Sequence, residues 1–445
     1  MRCFGFFSII LQAVKEKNMR TRIIVSLFAT IITIAAHAQG GTKSPYSQFG
    51  LGLLSDQSQS MNRGMGGVGV GMRVGNQVNM LNPASYSGVD SLSMLFDAGM
   101  SLQVTNFKEG AVRQNAKMAN FEYLAASFRV FKNVGMAFGV VPLTSVGYSY
   151  STSTFLDDTN GSISETFSGS GGLNQAFLGV GMRLFSPLSV GVNISYLWGD
   201  IDRTVLSSST TYVNALQKQY SASVSNYKLD AGIQWEQRIG KLHRVTLGAT
   251  YSLPHKLDSD PKMMLISTNT VSSNTDTTTF KIRNGLKLPL MLAGGLSYTY
   301  ADKLIVAADG SFQRWGTVSE PYYDTTLSKY VLKGGLNKNR YKGGLGVEFT
   351  PNRVSRKLYN RVSYRLGASY STPYYYINGK EGPSELNATI GLGIPIMNLY
   401  NNRSMLNISG QWVHHSATGL IKENTFRINI GLTFNERWFA KWRVE

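Results

Sequence analysis

The histidines are the side chains best suited to acid–base or metal chemistry, and four follow residue 38: His243, His255, His414 and His415. His414 and His415 are neighbours in a segment with strand periodicity, so their imidazoles point to opposite faces and do not suit one metal ion. The chain has no HExxH motif and no serine nucleophile elbow. A lipase- or acyltransferase-type pair of His414 with Ser416 stays open. We predict that the protein is not an enzyme and uses no metal or cofactor.

A second candidate motif is the glycine-rich stretch that starts after Arg63. Its glycines are Gly64, Gly66, Gly67, Gly69 and Gly71. Three of them have the GxGxxG spacing of dinucleotide-binding sites, but that fingerprint needs a preceding strand and a following helix in a βαβ unit. No helical periodicity follows here, and Pro83 comes soon after. We interpret the glycines as positions where the backbone must pack closely.

The net charge of +18 invites a nucleic-acid partner, but the basic residues form no cluster with interleaved aromatics. They are scattered over turns and loops, for example Lys333, Lys338, Arg340 and Lys342. Only 16% of the residues are charged, against roughly 25% in soluble domains. We therefore predict no nucleic-acid partner. The basic side chains are expected to form a solvated rim, in which some meet lipid phosphates.

The N-terminus has the pattern of a secretory signal peptide. Two arginines after Met19 precede a 14-residue apolar run, 23–36, and a small-x-small site, Ala36-His37-Ala38. The run is too short for a transmembrane helix, which needs about 17–25 residues. We predict a signal peptide over 1–38, with Met19 as the true start and residues 1–18 as upstream misannotation. The alternative is a buried N-terminal helix.

Beyond the signal, apolar and polar residues alternate with period two in segment after segment. In 188–200, for example, Val192 and Ile194 share one face, and Asn193 and Ser195 the other. This alternation indicates strands with one apolar face, and each segment is long enough for a tilted membrane strand. The fourteen segments are 91–105, 119–131, 134–151, 172–185, 188–200, 222–237, 242–253, 288–300, 304–314, 339–350, 360–371, 384–394, 404–414 and 424–434.

The connections between these segments alternate between short and long. The short ones include 132–133, 186–187, 238–241 and 301–303, and the long ones include 106–118, 152–171, 201–221, 254–287 and 315–338. Short turns on one side and long loops on the other are typical of bacterial outer-membrane barrels with an even strand number. The sequence predicts an all-β fold, a 14-stranded antiparallel transmembrane β-barrel over 91–434, in the cell outer membrane.

Three further features complete this topology. Residues 39–90, the hatch, do not alternate; they are glycine-rich and are predicted to plug the lumen from the periplasmic side. Residues 435–445 are predicted to be a periplasmic tail after the last strand. Aromatic residues near strand ends are expected to form the membrane-interface girdles. These girdle candidates are Trp198, Trp235, Trp315 and Trp412.

The chain resembles the FadL family of long-chain fatty-acid transporters. The resemblance is carried by the signal, the glycine-rich hatch ending in Asn82-Pro83-Ala84, and the fourteen strands. The closing segment 431–439 resembles members from Bacteroidetes. The family implies a hatch inside the barrel, an apolar ligand pocket and a lateral opening at a kinked third strand. Pro142 lies in the third strand and removes a ladder donor, which fits either such an opening or a bulge that only bends the strand.

The hatch departs from the family in one respect. FadL hatches usually carry paired acidic residues ahead of the Asn-Pro-Ala motif, whereas residues 74–79 here contain none. The head-group site of a fatty acid therefore cannot be carried over residue by residue. If the ligand is an anion, Arg129, Arg183 and Arg427 are candidates by their strand positions.

The sequence thus predicts outer-membrane transport of hydrophobic small molecules, long-chain fatty acids or similar, through a plugged barrel with a lateral exit. The expected partners are that ligand, outer-membrane lipid or lipopolysaccharide, and other outer-membrane proteins. The alternative is a non-transporting barrel subunit, a scaffold in a larger secretion or barrel-assembly machinery. Loops 254–287 and 315–338 would then be docking surfaces.

Overall fold

The computed structural model describes residues 42–156, 161–397 and 403–437, and it contains a closed ring of fourteen antiparallel strands. Each strand pairs with the next in sequence, and the last pairs with the first from Ser93–Arg437 to Lys108–Lys422. The strands are β1 (Ser93–Glu109), β2 (Val112–Phe131), β3 (Val134–Pro142 and Thr144–Leu156), β4 (Gly161–Phe185), β5 (Leu188–Ser209), β6 (Asn214–Ile239), β7 (His243–Ser252), β8 (Met291–Tyr300), β9 (Leu304–Gln313), β10 (Arg340–Phe349), β11 (Ser363–Ser371), β12 (Ser384–Met397), β13 (Arg403–Ser416) and β14 (Lys422–Arg437). The predicted 14-stranded antiparallel barrel is confirmed.

The alternation of side chains sorts them between the two faces of the ring as predicted. On β5, Val192 and Ile194 are exposed on the outer face, whereas Asn193 and Ser195 are buried on the inner face. The same division recurs around the ring and leaves a broad apolar outer surface. Closure pairs the edges that an open sheet would expose, so such a wall can have an apolar environment outside without unsatisfied backbone groups.

Short elements lie between the strands and before them. The helical turns are Pro45–Gln48, Ser60–Arg63, Pro83–Gly88, Trp315–Thr317 and Leu358–Arg361, and the short strands are Leu53–Leu54, His255–Lys256, Lys262–Asn269, Thr275–Lys281, Lys287–Leu288, Glu320–Asp324, Lys329–Lys333, Tyr376–Ile377 and Lys380–Glu381. Among the described residues, no helix has the length and apolar character needed to cross a membrane.

Several segments predicted as long loops continue the strands instead. The loop predicted over 106–118 is a hairpin that turns at Gly110-Ala111. β3 and β4 together extend through most of 152–171, and β5 and β6 through most of 201–221. A hairpin inside 254–287 adds to the edge of β6. These segments are polar, but their Thr, Tyr, Val, Ile and Phe residues have enough β-propensity to keep the ladders paired beyond the apolar zone.

The ends of the chain also refine the predicted domains. The predicted tail 435–445 begins too early, because Asn435, Glu436 and Arg437 still pair with the first residues of β1. Residues 438–445 and the predicted signal peptide 1–38 lie outside the described residues. The boundaries of the hatch stay a prediction, and its described part begins at residue 42.

An apolar cluster closes the end of the lumen from which the long hairpins extend. Leu173, Leu197 and Ile201 of β4 and β5 point inward there and pack with loop residues. Trp315, predicted as a girdle residue, is only 1% exposed in this cluster and contacts Tyr374. Inward side chains are therefore apolar where the loops fold into the mouth of the barrel. We call this cluster the roof.

Candidate functional site

The hatch contacts the inner face of the wall on many sides. Its hydrogen bonds reach β2 (Ser60 N to Tyr123 Oη, 2.9 Å), β12 (Gly66 N to Thr389 Oγ1, 2.9 Å), β8 (Ser297 Oγ to Gly71 O, 2.7 Å) and β6 (Asn82 Nδ2 to Ile233 O, 3.1 Å). The wall groups in these contacts come from strands on different sides of the ring. The polar inner face therefore serves largely as a set of hydrogen-bond partners for the hatch backbone.

Glycines of the wall provide the space in which the hatch lies. A Cβ atom on Gly367 would collide with the backbone of Met65, and one on Gly191 with the backbone of Pro83. A colliding backbone yields less readily than the end of a flexible side chain. Other inward wall glycines with the same property are Gly135, Gly181, Gly248, Gly295 and Gly346. The sequence pattern placed such glycines on the inner face but gave no sign that each faces one hatch residue.

The five predicted hatch glycines have different roles in this packing. Gly66 and Gly67 have φ angles of +74° and +82°, a region that favours glycine. The N–H groups of Gly69 and Val70 donate to Asp309 Oδ2 at 2.5 and 2.8 Å, which anchors the hatch to β9. Gly64 follows the helical turn Ser60–Arg63, and Gly71 lies tightly against the backbone of β8. Asp309 is a residue that sequence reasoning missed.

The Asn82-Pro83-Ala84 motif begins a helical turn buried against β3 to β6. Asn82 is completely buried; its Oδ1 accepts from Ala84 N at 3.1 Å, and its Nδ2 donates to Val70 O and Ile233 O. One amide therefore caps the turn, holds the glycine stretch and binds the wall. An asparagine at a helix N-cap followed by proline at the first position is a favourable combination.

Replacing Asn82 by alanine should loosen this end of the hatch. The substitution removes the cap and the hydrogen bonds that the amide donates to Val70 O and Ile233 O, which costs about 2–3 kcal/mol. We expect faster hydrogen–deuterium exchange of residues 69–90 with unchanged exchange of the wall strands. Asn387→Ala, which removes a buried amide of the wall strand β12, is the matched control. Equal protection of the hatch in both variants would contradict the assignment.

A buried ion pair holds the middle of the hatch. Arg63 Nη1 lies 2.8 Å from Glu122 Oε2 of β2, and its Nε donates to Ser58 O at 2.9 Å. The nearby Asp56 carboxyl is buried, which favours the neutral acid, but Lys342 and Arg63 outweigh burial and hold the pKa of Asp56 below its ordinary value. Both acids thus contribute negative charge around one buried guanidinium.

The wall is interrupted at Pro142. β1 and β2 pair along nearly their whole length, whereas the β2–β3 ladder runs only from Phe131–Val134 to Leu124–Val140. Beyond Leu143 the outer half of β3 continues its pairing with β4. Among the described residues, β2 thus forms a ladder with the inner half of β3 alone. This ladder ends two residues before Pro142, which still pairs with Asn174 of β4. A lateral opening at Pro142 stays a prediction.

A short piece of the hatch lies against the outer half of β3. Leu53–Leu54 pairs antiparallel with Ser145 and Thr144, on the edge of β3 that does not pair with β4. Next to it, Ser55 N donates to Leu143 O at 3.0 Å and Gln57 Nε2 donates to Pro142 O at 2.8 Å. We call Leu53–Leu54 the gate strand. It takes the position that β2 would occupy in an uninterrupted ladder.

The other candidate residues lie apart from one another. His414 is on the outer face, where Nδ1 is 2.8 Å from Asn424 Oδ1, and His415 is on the inner face between Glu385 and Glu423. Among the described residues, no three or more histidine, cysteine, aspartate or glutamate side chains are arranged so that they could hold a metal ion. The two histidines therefore point to opposite faces, as the alternation predicts.

Two of the three candidate arginines lie near each other. Arg183 and Arg129 both face the lumen, on the two sides of β3. Arg183 Nη2 lies 3.9 Å from Glu236 Oε1. Glu236 Oε2 also lies 3.9 Å from Nε of the buried hatch residue Arg73. Arg427 is elsewhere and donates to Gln103 of β1 at 2.8 Å. An anion site built from all three arginines is thus not formed.

The fold belongs to a known class of barrel. A monoaromatic hydrocarbon channel, CymD, matches with a TM-score of 0.58, 14% identity, and coverage of 88% of this chain and all of that one. The Pseudomonas putida toluene transporter TodX matches with a TM-score of 0.59, 14% identity, and coverage of 87% and 100%. A Pseudomonas aeruginosa FadL homologue matches with a TM-score of 0.61, 9% identity, and coverage of 86% and 99%. The chain thus has the FadL-type barrel fold.

The sequence defines the family more narrowly than the fold. The BamG family model matches residues 19–445, and the chain belongs to the BamG family. None of the curated proteins compared with it has significant sequence similarity. The predicted FadL resemblance therefore holds for the fold, while the family has another name. An origin in Bacteroidetes stays a prediction.

Proposed function

We propose that the protein is an outer-membrane channel that passes hydrophobic small molecules, long-chain fatty acids or similar, out of its barrel wall beside Pro142. The observation that carries the proposal is the end of the β2–β3 ladder at Leu124–Val140, with the gate strand against the outer half of β3. A break in a wall whose outer face is apolar connects the lumen to a lipid environment. A ligand leaving there would not cross water.

Two further observations support this proposal. The broad apolar outer surface and the segregation of short turns and long hairpins suit an outer-membrane barrel. The matched structures are those of a hydrocarbon channel, a toluene transporter and a FadL homologue. The likeness concerns the fold, and the ligand class is carried to this chain as part of the proposal.

The arrangement implies a sequence of movements. A hydrophobic ligand would enter between the loops that form the roof, because apolar side chains surround the outer lumen. Below the roof it would meet the gate strand, which is held by only two residue pairs and the nearby contacts of Ser55 and Gln57. Displacement of the gate strand would open the β3 edge. The hatch below stays anchored at Asp309 and Asn82, so the pore to the periplasm remains blocked.

Restoring a backbone N–H at position 142, which can donate to the β2–β3 ladder, tests whether ligands leave through the wall beside Pro142. In Pro142→Val the third strand gains an N–H and a β-branched residue, which favours continuous pairing with β2. We expect severalfold slower uptake of radiolabelled oleate and toluene by cells that express this protein as their only added outer-membrane transporter. Pro395→Val in β12 is the matched control. Equal uptake in both variants and the parent would remove the lateral exit from the mechanism.

The alternative function is a non-transporting scaffold, and the outer extension of the sheet favours it. β4 to β6 have 25, 22 and 26 residues, although about 9–11 suffice to cross a membrane, and the 262–281 hairpin widens this sheet. Such a surface could bind other outer-membrane proteins. Gentle detergent extraction followed by mass spectrometry discriminates, because stoichiometric protein partners favour the scaffold and a bound apolar ligand favours transport.

A further inference from the structure

The outer face of the wall has a hollow across the seam where the first and last strands meet. Its volume is about 930 Å³, and apolar side chains dominate its lining. The hollow exists because small residues, Ala388 and Gly410, lie among large ones. The large outward side chains that border it are Leu102, Val104, Ile390, Trp412, Phe426 and Ile428. It spans five strands, β12 to β14, β1 and β2, which is about 19 Å at the usual strand spacing.

The pairing registers place this hollow in rows of residues across the seam. One row contains Lys117, Val104, Phe426 and Trp412, and the row below contains Leu102, Ile428 and Gly410. The row above it is polar. Its members are Asn115, Asn106, Asn424 and His414. The outward face thus changes from apolar to polar in a single step of two residues along each strand.

Basic residues lie above the polar row, towards the end with the long hairpins. Lys108 pairs in register with both Lys422 and Arg113, on the same outward face as Val104. They lie about 13 Å above Val104 along the strand. With Lys117 they form the basic rim, and all four side chains are exposed. Within the described part of the chain, none of the four is in an ion pair.

We propose that this hollow and the basic rim bind one phosphorylated lipid with several acyl chains, of the chemistry of lipid A, in the outer leaflet. The inference rests on the outer-membrane location proposed above. The width of the hollow suits several acyl chains side by side, more than a two-chain phospholipid provides. The spread of positive charge over three strands suits more than one phosphate, and lysine and arginine bind lipid phosphates at membrane surfaces. The rim lies at the outer end of the barrel.

Binding of purified full-length protein in detergent to diphosphoryl lipid A tests the proposal, with phosphatidylglycerol and phosphatidylethanolamine as comparison lipids. Each rim charge near a lipid surface is worth about fivefold in affinity, so Lys108→Gln/Lys422→Gln should bind lipid A roughly 30-fold more weakly. Lys262→Gln/Lys329→Gln, two exposed lysines on other loops, is the matched control and should bind as the parent does.

The hollow is tested separately by filling it. A Cβ atom on Gly410 would have only the end of Ile390 near it, at 3.6 Å, so Gly410→Leu places a side chain in the hollow without disturbing the wall. We expect weaker lipid A binding. Gly310→Leu, at an outward glycine of β9 with open space around it, should have no effect. Heat-modifiable electrophoretic mobility checks that every variant is folded.

Three results would overturn the proposal: equal loss in test and control variants, phosphatidylglycerol binding as tightly with the same dependence on Lys108 and Lys422, or a protein crosslinked at Gly410 in membranes in place of lipid. Uptake of oleate and toluene is measured in the same variants. If the variants bind lipid as predicted but the protein takes up no ligand, only the proposed transport function is contradicted. If uptake is normal but lipid binding does not depend on the basic rim, only the proposed lipid site is contradicted.

Discussion

A disulfide between the gate strand and β3 should stop uptake. Leu53 and Ser145 face each other in an antiparallel pair, in which Cα atoms lie about 4.5–5.5 Å apart, within the range that a disulfide bridges. In a Cys3→Ser background, the Leu53→Cys/Ser145→Cys variant therefore has one designed pair. When it is oxidised, we expect uptake of radiolabelled oleate and toluene to fall to that of cells without the protein. A reducing agent should restore it.

The physical reason is that the gate strand must leave the β3 edge for a ligand to pass. Two residue pairs are a small barrier, whereas a covalent bond cannot be displaced thermally. The matched control is Val306→Cys/Val347→Cys, an outward pair between β9 and β10 in the uninterrupted wall. Its oxidation should leave uptake unchanged. Full uptake by the oxidised gate variant would show that transport does not require the gate strand to move, and would remove this route from the mechanism.

Replacement of Arg63 by methionine should release the middle of the hatch and make the barrel leaky. The substitution leaves Glu122 buried without its guanidinium partner and removes the hydrogen bond that Arg63 donates to Asp56 O. Breaking a buried pair costs about 3–5 kcal/mol. We expect increased ion conductance in planar bilayers and faster hydrogen–deuterium exchange over residues 56–73. The barrel itself should remain folded, because its ladders do not involve Arg63.

A second substitution separates the ion pair from a general loss of packing. In Arg63→Met/Glu122→Leu no charge of that pair is left buried, so conductance should fall back towards that of the parent. Lys228→Met is the matched control, since Lys228 pairs with Asp230 within the wall strand β6 at 2.5 Å. It should destabilise the wall without a rise in hatch exchange. Equal conductance of Arg63→Met and the parent would contradict the anchoring role.

The wall could be predicted from the sequence because a strand with one apolar face has a two-residue period. That period is visible in the sequence without knowledge of any tertiary contact. The alternation in β5 gave its first residue and its faces but not its end, which lies at Ser209 rather than at residue 200. The alternation of connection lengths gave the orientation of the hairpins. Pro142 was visible for the same local reason, since proline removes a ladder donor wherever it lies.

The same local rules failed where distant segments meet. Trp315 has the sequence context of a girdle residue, yet it is buried in the roof, because the loops fold back into the mouth of the barrel. The polar stretches 106–118 and 201–221 have the composition of loops and continue as strands, because a neighbouring edge was available for pairing. Neither the burial of Trp315 nor the extension of these strands can be read from the periodicity of the sequence.

The sequence alone determined the number of strands, their faces, and the glycine-rich, non-alternating character of the hatch, because each depends on residues close together in the chain. The tertiary structure decided which partners meet: Asp309 with the N–H groups of Gly69 and Val70, Arg63 with Glu122, and Leu53–Leu54 with the edge of β3. Those contacts join residues 59 to 240 positions apart. Only closure of the ring around the hatch fixes their distances.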